Sequence, residues 1–225
     1  MSKFDELADS YSEVLQQNLR FIPGGVEYYT EYRAAITKNN EPKSSHPPKL
    51  LDFGCGTGAS LEFLTEYFPN SEITGCDVSK ESVRVAAARH PSVEFTEVEK
   101  LTPQSFDIIF VAGVMHHIQP SLRTQTFENL VNLLKPGGRL FIYELNPLNP
   151  VTRKLVSNCE FDEDAVLLTR ASLLRTSKFA DSISLISKGF TVFLPPLLGR
   201  FRVLERLIAW CPLGAQYFVI FEKTK

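Results

Sequence analysis

The sequence predicts an α/β domain built on a mostly parallel sheet, on three observations. From Lys49 onward, short apolar runs alternate with stretches of helical period. The first run, Leu50, Leu51 and Phe53, opens directly into a glycine-rich turn, "GCGTGAS". An acidic residue, Asp77, closes the second run about twenty residues further on, where open parallel sheets place a ribose-binding carboxylate.

Before that domain, Phe4, Leu7, Ala8, Tyr11 and Leu15 fall on one helical face, so a helix is expected over residues of about 3–20. A second helix should follow "PGG" at Pro23–Gly25, carrying Tyr28, Tyr29, Tyr32 and Ile36. The polar, proline-rich stretch Asn39–Pro48 reads as a hinge. Residues 1–48 are therefore expected to form a helical appendage or lid, and 49–225 the main domain.

Within the main domain the first strand is Leu50–Gly54, and a helix through Leu61, Leu64 and Phe68 stops at Pro69. "EITGC" leads to Asp77, and Ser79 is placed to cap a helix through Ala88. Val93–Val98 and Phe106–Gly113 read as strands three and four. Phe127, Leu130, Val131 and Leu134 mark the next helix, which should stop at "KPGG" before strand five, Arg139–Leu145. Residues 171–189 look helical, "FTVFLP" reads as strand six and "QYFVIFEK" as strand seven. Between the last two lies an insert of about twenty residues, 196–215, with Leu204, Leu207, Ile208 and Cys211 at helical spacing.

Composition excludes several classes. A formal net charge of −2 gives no basic field for nucleic acid. There is no apolar run long enough to span a bilayer and no apolar leader core after Met1. The four scattered cysteines form no C-x-x-C pair and suit reduced thiols in the cytoplasm.

The glycine turn carries the chemistry. Gly54, Gly56 and Ala59 satisfy the dinucleotide pattern G-x-G-x-x-G/A, while Gly54, Gly56 and Gly58 make G-x-G-x-G. Asp52, two residues before Gly54, would repel a pyrophosphate and suits a cationic ligand. Asp77 fits the ribose of either ligand class. His116 and His117, just past strand four, lie on the ligand side of the sheet, where one imidazole can accept a proton near neutral pH. No cluster of metal-ligating residues stands at ligand spacing, so no metal is expected.

"LLDFGCGTGAS", "GCDVS", "FDIIFVAGVMHHI" and "LLKPGGRLFIYE" together resemble successive motifs of the class I S-adenosylmethionine (AdoMet)-dependent methyltransferases, over roughly Leu50 to Asn146. The resemblance implies a Rossmann-like seven-stranded sheet of order 3-2-1-4-5-7-6 with strand seven antiparallel. It implies that Asp52, Phe53, Gly54, Gly56 and Gly58 hold the methionine part of AdoMet, and Asp77 and Val78 the ribose side. Glu97 and Val98 correspond to the adenine turn, and Ala112, Gly113 and Val114 pass near the sulfonium. S-adenosylhomocysteine would be the product. No motif of the nucleic-acid amino-methylating enzymes follows strand four, so a small-molecule acceptor is expected, among them saccharides, lipid-linked compounds and secondary metabolites. Two other functions stay open at this point: an NAD(P)-dependent oxidoreductase, and an AdoMet-binding protein without turnover. The insert has three readings, namely ordinary core packing, a lid over an apolar acceptor, or a shallow membrane-surface contact. Oligomeric state is left unassigned.

Overall fold

Leu50 and Leu51, and residues 108–111, sit at the centre of the sheet because these bulky apolar side chains can be buried on its two faces. The computed structural model describes residues 25–159, 162–180 and 182–224. The amphipathic helix expected over residues of about 3–20 lies outside the described residues. The chain runs α1 (Gly25–Asn39), β1 (Lys49–Phe53), α2 (Ala59–Tyr67), β2 (Glu72–Cys76), α3 (Lys80–Arg89), β3 (Glu94–Phe95), β4 (Phe106–Ala112), α4 (Arg123–Leu133) and β5 (Leu134–Leu145). It continues with α5 (Pro150–Ser157), α6 (Arg170–Thr176), β6 (Ile183–Thr191), a 3-10 helix (Pro196–Leu204), α7 (Glu205–Ile208) and β7 (Gln216–Lys223).

The seven strands adopt the order β3-β2-β1-β4-β5-β7-β6, as the family resemblance implies. β7 is antiparallel to both β5 and β6, and the other pairings are parallel. Strand order therefore reverses between β1 and β4, and ligands in such sheets bind beyond the carboxyl ends at that point.

Alternation along each strand sorts the core into two layers. Leu50, Ile108, Phe110, Phe141 and Tyr143 face α2 and α1, meeting Leu61, Leu64 and Ala34. Leu51, Ile109, Val111, Leu140 and Ile142 face the other way, onto Phe127, Leu130 and Val131 of α4 and Leu173 of α6. Truncating a fully buried member such as Phe110 to alanine removes about 3–5 kcal/mol. α1 is fastened to the sheet by polar contacts as well. The Tyr143 hydroxyl lies 2.8 Å from Thr37 Oγ1 and donates to the Arg33 carbonyl, and Arg139 donates to the Asn40 carbonyl at 2.9 Å.

Several local expectations hold. Ser79 caps α3 by accepting the Ser82 amide at 3.1 Å, and Phe127, Leu130, Val131 and Leu134 are all buried. Others need correction. The third strand covers two residues rather than Val93–Val98, because the chain turns into a 3-10 helix at Val98–Lys100. The helix expected through Gly189 ends at Thr176, with one 3-10 turn to Phe179, and Ile183–Thr191 form β6 by pairing with β7. That strand closes before "VFLP". "KPGG" enters β5 as an irregular first segment, with the register shifted between Phe106 and Ile108.

The insert is tied down by one buried carboxylate. Glu205 is 2% exposed and accepts the amides of Val192, Phe193 and Leu194 at 2.9–3.0 Å. Those amides follow β6 directly, and Val192 stands in the left-handed region at φ 63. Glu205 thus holds a strained turn that sheet pairing cannot satisfy. A second tether joins the insert to α1: Arg202 pairs with Glu31, which also accepts from the Tyr67 hydroxyl, and its guanidinium lies 5.1 Å from the Tyr32 ring centre. Among the described residues, no helix is long and apolar enough to cross a membrane.

Candidate active site

The turn after β1 is stitched to β2 by the amides of Gly54 and Cys55, which both donate to the Cys76 carbonyl at 2.8 and 3.0 Å. Gly54 adopts φ +74 and Gly56 φ +52, a region that glycine enters without a Cβ penalty. A Cβ at Gly54 would stand 2.5 Å from Val114 Cγ2, so this glycine lets the β1 and β4 ends close together. A Cβ at Gly56 would meet nothing within 4 Å, so the space beside that backbone is open.

Both oxygens of Asp77 are engaged by the turn itself. Oδ2 accepts the Gly56 amide and Oδ1 the Ser79 amide, each at 2.9 Å. This fixes the carboxylate at the end of β2, beside the glycine turn. Val78 beside it is 75% exposed, an apolar surface for an adenine ring.

Asp52 is 1% exposed, and its Oδ2 has no hydrogen-bond partner. Burial, reinforced by the Asp77 charge and opposed by Arg33 of α1, pushes its carboxyl up to about 8. Thr57 Oγ1, three residues past Gly54, is also buried without a partner. Buried polar atoms are nearly always satisfied, and leaving one unpaired costs about 1–3 kcal/mol. Two such atoms flanking the glycine turn fit a ligand with hydrogen-bond donors, and the carboxylate specifies a cationic one. The ammonium and sulfonium of AdoMet meet that description; a pyrophosphate does not.

The other residues assigned from the sequence are distributed around this cradle. Phe53 and Val98 are partly buried against the core. Glu97 is exposed at the rim, paired with Lys100 at 2.9 Å and with Lys80 at 3.9 Å. Ala112 ends β4, Gly113 follows at φ +71, and the Val114 amide donates to Glu144 Oε1 at 3.1 Å. Tyr143 is buried in the core, and Asn146 braces the insert by donating to the carbonyls of Pro212 and Gly214.

His116 and His117 come together with two acids from elsewhere in the chain. His116 Nδ1 lies 2.6 Å from Glu144 Oε2, and its Nε2 lies 3.4 Å from Asp162 Oδ1. His117 Nε2 is 3.5 Å from the same Asp162 oxygen, and the two rings are 4.1 Å apart. Burial disfavours the imidazolium of His116, but Glu144 and Asp162 outweigh it and raise the group to about 9. His117 goes the other way, to about 4, because burial and then the His116 charge both oppose a second cation. At neutral pH the pair therefore holds one imidazolium and one neutral imidazole, and, against the effect of burial, the histidines keep the Asp162 carboxyl below its ordinary range.

Asp162 was invisible to sequence reading: it lies 45 positions beyond His117 in an irregular stretch, with no motif around it. It is delivered by the segment's own ties, the Val166 amide on the His116 carbonyl at 2.9 Å and the Arg123 guanidinium on the Val166 carbonyl. It also lines a cleft of about 830 Å³ together with Arg153, Lys154 and Val166. Ligand atoms of His116, His117 and Asp162 lie within 4.8 Å of one another, close enough for one cation. Nothing in the sequence signals such a grouping, because Asp162 stands far from the histidines along the chain; the fold brings the three together.

The methyltransferase-domain family model matches residues 51–140, which contain the glycine turn, Asp77 and the histidine pair. Residues 51–140 form a methyltransferase domain. Among curated relatives of the chain, a demethylmenaquinone methyltransferase from Chlorobaculum parvum is 31% identical over 157 residues, 68% of this chain and 62% of the relative. A trans-aconitate 2-methyltransferase from Rhodopseudomonas palustris is 29% identical over 162 residues, 70% of this chain and 60% of the relative. The chain thus spans about three fifths of the length of these two relatives. Its fold matches that of a SAM-dependent methyltransferase from Archaeoglobus fulgidus at a TM-score of 0.66 and 13% identity, over 95% of this chain and 100% of the other.

Proposed function

We propose that this protein moves the methyl group of AdoMet to a small-molecule acceptor, with Asp52 as the anchor for the donor. The observation that carries the reading is the buried, unpartnered Oδ2 of Asp52, four residues before Gly56, whose backbone faces open space. When bound, AdoMet supplies an electrophilic methyl, so the protein's task is in-line positioning and removal of any acceptor proton. Asp77 and Val78 orient the adenosine, Glu97 and Val98 border the adenine, and Gly113 with Val114 closes over the reacting end.

His117 accepts the acceptor's proton. Of the two histidines it is the neutral one at pH 7, whereas His116 already carries its proton. Glu144 and Asp162 hold the rings in place and stabilise the positive charge that arrives. His117 Nε2 would take the acceptor's proton as the acceptor gains the methyl that bound AdoMet would supply, the C–S bond breaking to leave the thioether of S-adenosylhomocysteine.

Named relatives methylate demethylmenaquinone and trans-aconitate. The exposed apolar insert favours an apolar or lipid-linked acceptor over a tricarboxylate. Free cysteines among the described residues fit a cytoplasmic setting.

Isothermal titration with AdoMet and S-adenosylhomocysteine tests the cofactor; absence of heat at millimolar ligand refutes it, and saturable NADH binding instead would favour an oxidoreductase. Formation of S-adenosylhomocysteine across a panel of quinones, saccharides and trans-aconitate tests turnover. Cofactor binding without product on any acceptor would identify a binding protein only.

A further inference from the structure

We infer that the insert and α5 together form a docking surface for an anionic lipid bilayer. Leu197, Val203, Leu204, Leu207, Trp210 and Leu213 are each more than half exposed, so the core-packing reading of this segment does not hold. α5 adds Leu148 and Val151 from the preceding turn and first residues, 55% and 62% exposed. The two segments are adjacent: Asn149 Nδ2 donates to the Leu213 carbonyl at 2.6 Å, and Thr152 Oγ1 to the Ala215 carbonyl at 3.0 Å.

Charge decides the occupant. Arg153 and Lys154 lie in 148–157, and Arg200 and Arg206 lie in 196–213, where Arg202 is already paired with Glu31. The sole acid in either stretch is Glu205, which is buried and engaged with three amides. A chain of net charge −2 thus gathers cations around its most exposed apolar residues. An amphipathic segment with aliphatic and indole side chains set among arginines is the chemistry of the anionic headgroup boundary. A second copy of this chain would bring like charges face to face.

Position agrees with the assignment. α5 follows β5 and the insert follows β6, and these two strands run parallel, so both segments leave the sheet at its carboxyl edge, the edge of the cofactor cradle. Docking there would open the site toward acyl chains. The binding event itself needs neither AdoMet nor turnover, and stands apart from the methyl-transfer reading.

Trp210 is the only tryptophan in the chain, so its fluorescence reports this surface alone. With vesicles of phosphatidylcholine and phosphatidylglycerol at low salt, its emission should shift to the blue and be quenched by brominated acyl chains. The double variant Arg200→Glu/Arg206→Glu should lower partitioning by roughly tenfold or more, and Leu207→Asp should abolish the shift. Unchanged thermal transitions would show that the variants are folded. Emission unmoved by anionic vesicles overturns the proposal. So does equal binding to pure phosphatidylcholine, or a blue shift that depends on protein concentration without lipid, which would instead identify self-association.

Discussion

Glu144 joins the end of β4 to His116 through a single carboxylate: Oε1 accepts the amides of Val114 and Met115, and Oε2 lies 2.6 Å from His116 Nδ1. The side chain that shapes the loop beside the cofactor is therefore the one that charges the histidine pair. Glu144→Gln keeps an acceptor for the amides but withdraws the charge. The His116 pKa, followed by NMR, should fall from about 9 toward its ordinary range, and turnover should drop while AdoMet affinity stays within about threefold.

His117→Ala should lower kcat by about 10²- to 10⁴-fold with AdoMet affinity intact. Turnover unchanged in His116→Ala, His117→Ala and the double variant would remove the base from the mechanism. With His117 acting as a base, prior treatment with EDTA should leave wild-type turnover unchanged; turnover lost to EDTA and restored by a divalent cation would instead make His116, His117 and Asp162 a metal site.

The His116 proton also makes stability pH-dependent. Its folded pKa of about 9 exceeds the unfolded value of about 6.5, so the proton's contribution is complete below about pH 6.5 and is lost as pH rises through about 9. Melting temperature should fall across that window in the wild type and fall less in His116→Asn.

Asp52 has the opposite dependence for an acid. With its folded pKa raised to about 8 from an ordinary value near 3.8, the carboxyl stabilises the ligand-free fold at low pH and loses that contribution as pH rises from about 4 through about 8. A cationic ligand restores the carboxylate, so AdoMet binding at pH 7 should release close to one proton, seen as a buffer-dependent heat in phosphate against Tris. Asp52→Asn should weaken AdoMet by roughly tenfold to a hundredfold, abolish proton release, and leave the ligand-free protein at pH 8 no less stable than the wild type.

Gly54 and Gly56 separate folding from binding. Gly54→Ala places a methyl 2.5 Å from Val114 Cγ2 and should cost about 1–3 kcal/mol of stability by thermal or urea unfolding. Gly56→Ala meets no neighbour, so beyond its positive φ its principal effect should be weaker AdoMet binding, as the methyl enters the open space beside the turn.

The cradle was legible because it is local: Leu50 and Leu51 announce a buried strand, and Asp52, the glycines and Asp77 lie within one strand–helix–strand unit. β6 was not. Leu185 and Ile186 stand side by side across a register shift between Leu185 and Ser187, which breaks the alternation that marks a strand, and pairing with β7 overrides the helical look of the segment. Asp162 and Glu205 were illegible for another reason. Each serves residues that its own neighbourhood does not contain or announce, and only the folded chain reveals which amides and imidazoles they meet.

The half of the candidate site proposed for the donor is made of backbone from β1, β2 and the end of β4, whereas the exposed apolar surfaces come from the stretches after β5 and β6. The two halves can therefore diversify at different rates. Exchanging residues 147–168 and 192–214 between relatives should retarget the enzyme to a new acceptor while its hold on the methyl donor is inherited unchanged, which makes this fold a chassis with replaceable ends.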